Sequence, residues 1–169
     1  MGDTFAAPDG RAQAGPIYPR GMNPDPADVV MIEQLLHKYG HIVDAHEWHR
    51  FGELFTEDCV LDYTPVHAPH VYHGVEEIKG YFKLANHPAA HHVSNIWVEL
   101  VDGEHRVKSK FFVPFTRDSH TPKRWYGGDY DDVVVKTTEG WKFKTRLCTE
   151  RWQFTPDAVG DVPHGRHTF

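Results

Sequence analysis

Residues 87–95 read His-Pro-Ala-Ala-His-His-Val-Ser-Asn, so three imidazoles fall together where a helical pattern gives way to an alternating one. Histidine titrates nearest neutrality of all side chains, so such a cluster is able to move protons at physiological pH. Two places hold polar residues where the pattern wants apolar ones: the His91-His92 pair, and Asp44 beside the last inward residue of a helical stretch. Tyr39 joins them, because it carries a hydroxyl on that helix's apolar stripe. An imidazole removes a carbon-bound proton when a carboxylate holds its other ring nitrogen, fixing the tautomer and stabilising the imidazolium that forms. Such general-base help is typically worth ~10²–10⁴-fold in rate. A tyrosine hydroxyl polarises a carbonyl or assists a departing oxygen.

Each residue also has a plainer reading. Asp44 fits the N-cap of a following helix, with Glu47 completing a capping box. His91 and His92 fit ordinary exposed strand positions, and a one-residue slip in register makes His92 rather than His91 the inward one. Tyr39 fits a core aromatic. Tyr39 and Asp44 do not share one face of an ideal helix, so they converge only if the helix ends or bends near residues 41–44. At a helix C-terminus Asp44 faces the negative end of the dipole, a cost that a protonatable histidine offsets.

The elements that must position these groups follow from periodicity. Residues 1–24 are rich in Gly, Pro and Ala and read as an arm. Asp25-Pro26-Ala27-Asp28 is a helix start, and Ile32, Leu35, Leu36, Tyr39 and Val43 form one stripe. A second helix, opened by Asp44 and carrying Trp48, Phe51, Leu54 and Phe55 inward, is expected to end at residues 56–58. A short strand over 59–63, a loop over 64–73 and a helix over 74–85 follow. Four long strands are expected at about 91–101, 105–116, 124–137 and 141–154, separated by Asp102-Gly103, Asp118-Ser119 and Glu139-Gly140. Gly127-Gly128 inside a strand indicates a bulge or bend. The order predicts an α+β domain over 25–154, a curved antiparallel sheet with helices packed on its concave face, and a tail over 155–169. A pocket between sheet and helices is the expected place for a small molecule.

Composition narrows the function. The 169 residues, 40% of them hydrophobic, suit one domain with a core. A formal charge of −6 disfavours nucleic-acid and anionic-membrane partners. No apolar run suits a membrane span, the N-terminus lacks a signal-peptide core, and a cytoplasmic location is expected. Cys59 and Cys148 sit in apolar stretches and read as buried thiols rather than a disulfide or nucleophiles. The spaced histidines His67, His70 and His73, with His46 and His49 nearby, have no adjacent cysteine and are interrupted by Pro69, so no metal is expected. No phosphate loop occurs, and no cofactor is expected.

The stretches "IEQLLHKYGHIVDAHEWHRFGELFTEDCVLDY", "GVEEIKGYF", "HHVSNIWVEL" and "GWKFKTRLCTERW" resemble the SnoaL-like branch of the NTF2-like (cystatin-like) superfamily. The resemblance covers about residues 25–154 and implies the cone-shaped α+β fold. Scytalone dehydratase, bile-acid 7α-dehydratase and hexachlorocyclohexane dehydrochlorinase in that branch pair an aspartate ending the first helix with a histidine opening the first long strand. Asp44 and His91 match those positions. Tyr39 and, with weaker alignment, Arg146 match the bile-acid dehydratase pattern. The resemblance also implies a homo-oligomer, a trimer ahead of a dimer.

The combined expectation is a cofactor-independent lyase of the dehydratase type, with His91, Asp44, Tyr39 and Arg146 in catalytic roles. Its pocket is expected to take an aromatic or polycyclic small molecule against Trp48, Phe55, Tyr63, Phe82, Phe112, Trp125, Tyr126 and Tyr130. An isomerase or polyketide cyclase using the same pair, and a non-catalytic binding module, are the alternatives.

Overall fold

A computed structural model describes residues 23–85, 87–88, 90–115 and 124–155. The expected arm over 1–24 and tail over 155–169 therefore lie almost wholly outside the described residues.

Helix α1 (Pro26–Asp44) begins as its sequence dictates. The Asp25 carboxylate accepts a hydrogen bond from the Ala27 amide at 2.8 Å, and Pro26 occupies a first-turn position where no amide is needed. Ile32, Leu35, Leu36, Tyr39, Ile42 and Val43 form its buried stripe. The expected second α-helix is instead a 3₁₀ segment, Trp48–Glu53, which buries Phe51. No capping box forms: Asp44 remains the last residue of α1, and Glu47 makes no side-chain cap bond and pairs with Arg50 at 2.7 Å. The chain reverses through His46 at φ 55°, and strand β1 (Phe55–Asp62) already starts at Phe55. Too little chain remains between them for a full α-helix.

Strand β2 (Tyr72–His73) lies in the stretch expected to be loop and pairs with β1. Helix α2 (Val75–Leu84) follows, burying Ile78 and Phe82. Four long strands complete the domain: β3 (His92–Val101), β4 (Glu104–Phe115), β5 (Arg124–Thr137) and β6 (Gly140–Phe154). Their bounds fall within a residue of the expected ones. Asp102 and Gly103, both at positive φ (53° and 82°), make the two-residue turn that matches strand twist.

The sheet order is β2-β1-β6-β5-β4-β3. The β3–β6 meander is antiparallel, as expected. The sheet as a whole is mixed, because β1 runs parallel to β6. Parallel neighbours need a long connection, and here most of the domain lies between the two strands. The sheet is curved and unclosed. Helix α1 packs against β3 and β6, and α2 packs against β1 and the first 3₁₀ segment. The β5–β6 register shifts between Gly127 and Gly128. A Cβ on Gly128 would stand 2.0 Å from the Thr149 carbonyl oxygen, so only glycine permits that approach.

Candidate active site

The end of α1 and the start of β3 meet at one contact. His91 Nδ1 lies 2.6 Å from Asp44 Oδ1, and the His91 amide donates to both carboxylate oxygens at 3.1 and 2.9 Å. Gly40, one turn back on α1, faces His91: a Cβ there would stand 3.4 Å from the His91 Cβ, at the limit of ordinary contact. Burial alone would raise the Asp44 pKa, but the ring and backbone hydrogen bonds from His91 together hold it below the ordinary carboxylate value. An ionised carboxylate only accepts, so the proton between the two groups belongs to Nδ1. In the neutral ring this tautomer leaves the lone pair on His91 Nε2. The carboxylate sits at the negative end of the α1 dipole, and the three donated bonds offset that placement.

Tyr39 reaches the same imidazole. Its ring meets the His91 ring edge-on, with centroids 5.8 Å apart and planes at 85°. Helix α1 ends at Asp44, within the expected 41–44 window. His91 joins the two residues: it bonds Asp44 at one edge and packs on Tyr39 with its ring. The Tyr39 and Tyr63 hydroxyls are 2.8 Å apart. Each hydroxyl owns one proton, so whichever donates to the other leaves the acceptor's own O–H for a third group. Burial raises the Tyr39 pKa, with the Arg146 charge partly opposing it, so the hydroxyl is a neutral donor.

Arg146 lies behind this pair. Its side chain is fully buried and bonds Asp132 through two contacts of 2.8 Å. The guanidinium packs on the rings of Tyr39, Tyr130 and Phe143 at 4.2, 4.2 and 4.1 Å from their centroids. Its Nη1 is buried with no hydrogen-bond partner among the described residues. Burial opposes the Arg146 charge, but the Asp132 carboxylate keeps it protonated.

A cavity of about 230 Å³ opens beside His91 and Tyr39. Of the residues expected to line it, Tyr63, Phe82, Tyr126 and Tyr130 do so. Trp48 and Phe55 do not. Trp48 packs behind the wall, on Phe51 and Phe82, and Phe55 is a core residue against Tyr39 and Phe143. Phe112 and Trp125 lie on the opposite sheet face, their rings 4.9 Å apart, with His92 against Phe112 at 6.0 Å. Phe111, Val113 and Phe115 take the inward positions of β4 instead. Strand alternation separates these two sets but does not say which faces the helices when both are aromatic. His67, His87, Cys148 and Glu150 also line the cavity and were not foreseen there. Burial raises the Cys148 thiol to about 12, so it is not a nucleophile.

A second recess of about 220 Å³ lies where His37, His41 and His92 surround Asp44 and His91. The dyad thus borders both openings. No group of three or more His, Cys, Asp or Glu side chains suited to a metal occurs among the described residues. The spaced histidines serve the loop before α2: His70 Nε2 is 3.2 Å from Glu77, which also accepts from the His73 amide at 2.6 Å.

Residues 26–147 match the SnoaL-like domain family, and the chain belongs to it, within the NTF2-like branch. A search of curated proteins finds no match. Among solved structures, the chain is similar to one described as a candidate scytalone dehydratase from Novosphingobium aromaticivorans. The two are 26% identical, with a TM-score of 0.66, over 84% of this chain and 96% of that one. Hexachlorocyclohexane dehydrochlorinase (LinA) type 2 is 14% identical at a TM-score of 0.67, over 82% of this chain and 95% of that one. ActVI-ORFA from Streptomyces coelicolor is 17% identical at a TM-score of 0.61, over 72% and 95%. The last two likenesses show the fold alone. Among the described residues no helix is long and apolar enough to cross a membrane.

Proposed function

We propose that the protein is a cofactor-independent lyase that eliminates water from an aromatic or polycyclic small molecule. The observation that carries this reading is the 2.6 Å contact of Asp44 with His91 Nδ1 at the wall of an aromatic cavity. His91 Nε2 takes a carbon-bound proton made acidic by a neighbouring carbonyl or ring, and Asp44 stabilises the imidazolium. The C–H electron pair becomes the new double bond as the β C–O bond breaks. The free O–H of the Tyr39–Tyr63 pair hydrogen-bonds the departing oxygen. The proton held on His91 leaves with that oxygen as water, which restores the enzyme. Arg146 acts through Tyr39, whose ring it underlies, rather than by touching the substrate. The similarity to a candidate scytalone dehydratase supports the same chemistry.

The test is product mass from a panel of aromatic β-hydroxy ketones. Loss of one water with wild type, slowed at least ~10²-fold in His91→Ala, supports the reading. Unchanged mass with an altered product would make it an isomerase or cyclase. Undiminished turnover in His91→Ala would end the base assignment.

We also propose a homo-oligomer, with a second copy covering the sheet's outer face. Trp97, Trp152 and Phe154 stand 63, 46 and 59% exposed there. Sedimentation of wild type against Trp97→Lys checks it: a monomer in both cases would contradict it.

A further inference from the structure

His87 shares the cavity with His91 but has the opposite tautomer imposed on it. Its Nε2 lies 2.8 Å from the carbonyl oxygen of Phe82, in the last turn of α2. A carbonyl only accepts, so Nε2 carries the proton. That bond also satisfies one of the carbonyls every helix leaves open at its C-terminus. The ring is held on both sides. It stacks on Phe82 with centroids 4.6 Å apart and planes at 17°, and lies 5.1 Å from Trp48. Burial, with smaller contributions from nearby imidazoles, lowers the His87 pKa to about 4, so near neutral pH the ring is uncharged. Its Nδ1 is therefore a bare, pre-oriented acceptor without a hydrogen-bond partner among the described residues.

Capping α2 explains Nε2 but gives no use for Nδ1. The ring lines the cavity together with Tyr39, Tyr63 and His91. We propose that His87 Nδ1 is a specificity-determining acceptor that takes a hydrogen bond from a hydroxyl of the bound molecule, which makes the preferred ligand class a hydroxylated aromatic. This rests on the reading of the cavity as a substrate site and adds a group that the molecule must carry beyond the one eliminated. A fixed, neutral imidazole loses no rotamer freedom on binding and keeps its lone pair across the neutral range. A ligand lacking the donor leaves Nδ1 desolvated and unpaired, which makes the preference selective as well as attractive.

The experiment uses two probes of like shape, 2-naphthol and its methyl ether, 2-methoxynaphthalene, with the full chain. Wild type should bind the naphthol more tightly, and His87→Phe, which keeps a ring between Phe82 and Trp48, should lower naphthol affinity about five- to tenfold without weakening the ether, which no longer strands Nδ1. His87→Gln, with a donor and an acceptor in one group, should recover part of the difference. The ¹⁵N spectrum of histidine-labelled wild type should show the His87 proton on Nε2, and its Nδ1 resonance should move on adding naphthol but not the ether. That spectrum needs no variant to fold. A proton on Nδ1, an Nδ1 signal unmoved at naphthol saturation, or a naphthol preference intact in His87→Phe would overturn the proposal while leaving the His91 chemistry standing. Failure of both probes to bind wild type would overturn it together with the aromatic-substrate reading.

Discussion

Tyr39 stands between two carboxylates, each bonded to a basic side chain, in settings of opposite character. On one side its ring meets His91, paired with an Asp44 whose side chain is 26% exposed. On the other it covers Arg146, paired with a fully buried Asp132. The Asp132–Arg146 pair is sealed. Both carboxylate oxygens are engaged, and protein surrounds the guanidinium. Such a pair cannot exchange its charge with a substrate, and removing one partner leaves the other as a lone ion in the low-dielectric interior. The Asp44–His91 pair is engaged at one ring nitrogen and bare at the other. It borders a cavity and a recess, so it can accept a proton and return it. The same chemical motif thus serves as an anchor where it is enclosed and as a candidate base where one edge is left open.

The largest effect should come from splitting the sealed pair. Asp132→Ala leaves Arg146 buried without a counterion, and the expected cost is about 3–5 kcal/mol of folding stability in urea titration. An unchanged urea midpoint would break the contrast. Replacing both partners with apolar residues should restore much of that stability.

Removal of the open base should act on turnover instead. His91→Ala is expected to lower the elimination rate ~10²–10⁴-fold while its far-ultraviolet circular dichroism matches wild type. A smaller effect should follow Tyr63→Phe, which deprives the Tyr39 hydroxyl of its partner: about a tenfold loss of rate, with the ligand-free fold retained. Rates equal to wild type would remove the tyrosine pair from the mechanism.

The finest test concerns pH. Asp44 has a folded pKa below its unfolded value, so it contributes stability above the unfolded carboxylate pKa of about 4. That contribution is lost as pH falls through the lower folded value. Asp44→Asn lacks it at every pH. The difference in urea midpoint between wild type and Asp44→Asn should therefore be full at pH 6 and shrink below pH 4. A gap that stays constant would mean that ionisation of Asp44 contributes nothing.

The contrast also explains what the sequence could reveal. Helix α1, helix α2 and the four long strands are legible because period and turn chemistry agree over many residues, as at Asp25-Pro26 and Asp102-Gly103. The meeting of Asp44 with His91 is legible because both are polar where the pattern is apolar, and because the resemblance aligns them. Asp132 gives no such signal. Asp131 and Asp132 are adjacent, and only the strand's facing decides which one meets Arg146. The same ambiguity hides Phe111 behind Phe112. Trp48 and Phe55 are misplaced because a helical stripe is expected where a 3₁₀ turn leads directly into β1. The parallel β1–β6 contact has no local signature, since its partners are distant in the chain. The acceptor role of His87 depends on a carbonyl whose position only the fold supplies.

In the proposed mechanism Asp44 holds the His91 proton on Nδ1 and leaves Nε2 free as the base. The most direct measurement is the ¹⁵N spectrum of the His91 side chain near neutral pH, in wild type and in Asp44→Asn. A protonated Nδ1 and a bare Nε2 in wild type, with that tautomer no longer dominant in Asp44→Asn, is the predicted result. A wild-type ring protonated on Nε2 would leave no lone pair at that nitrogen, and His91 could not then be the base.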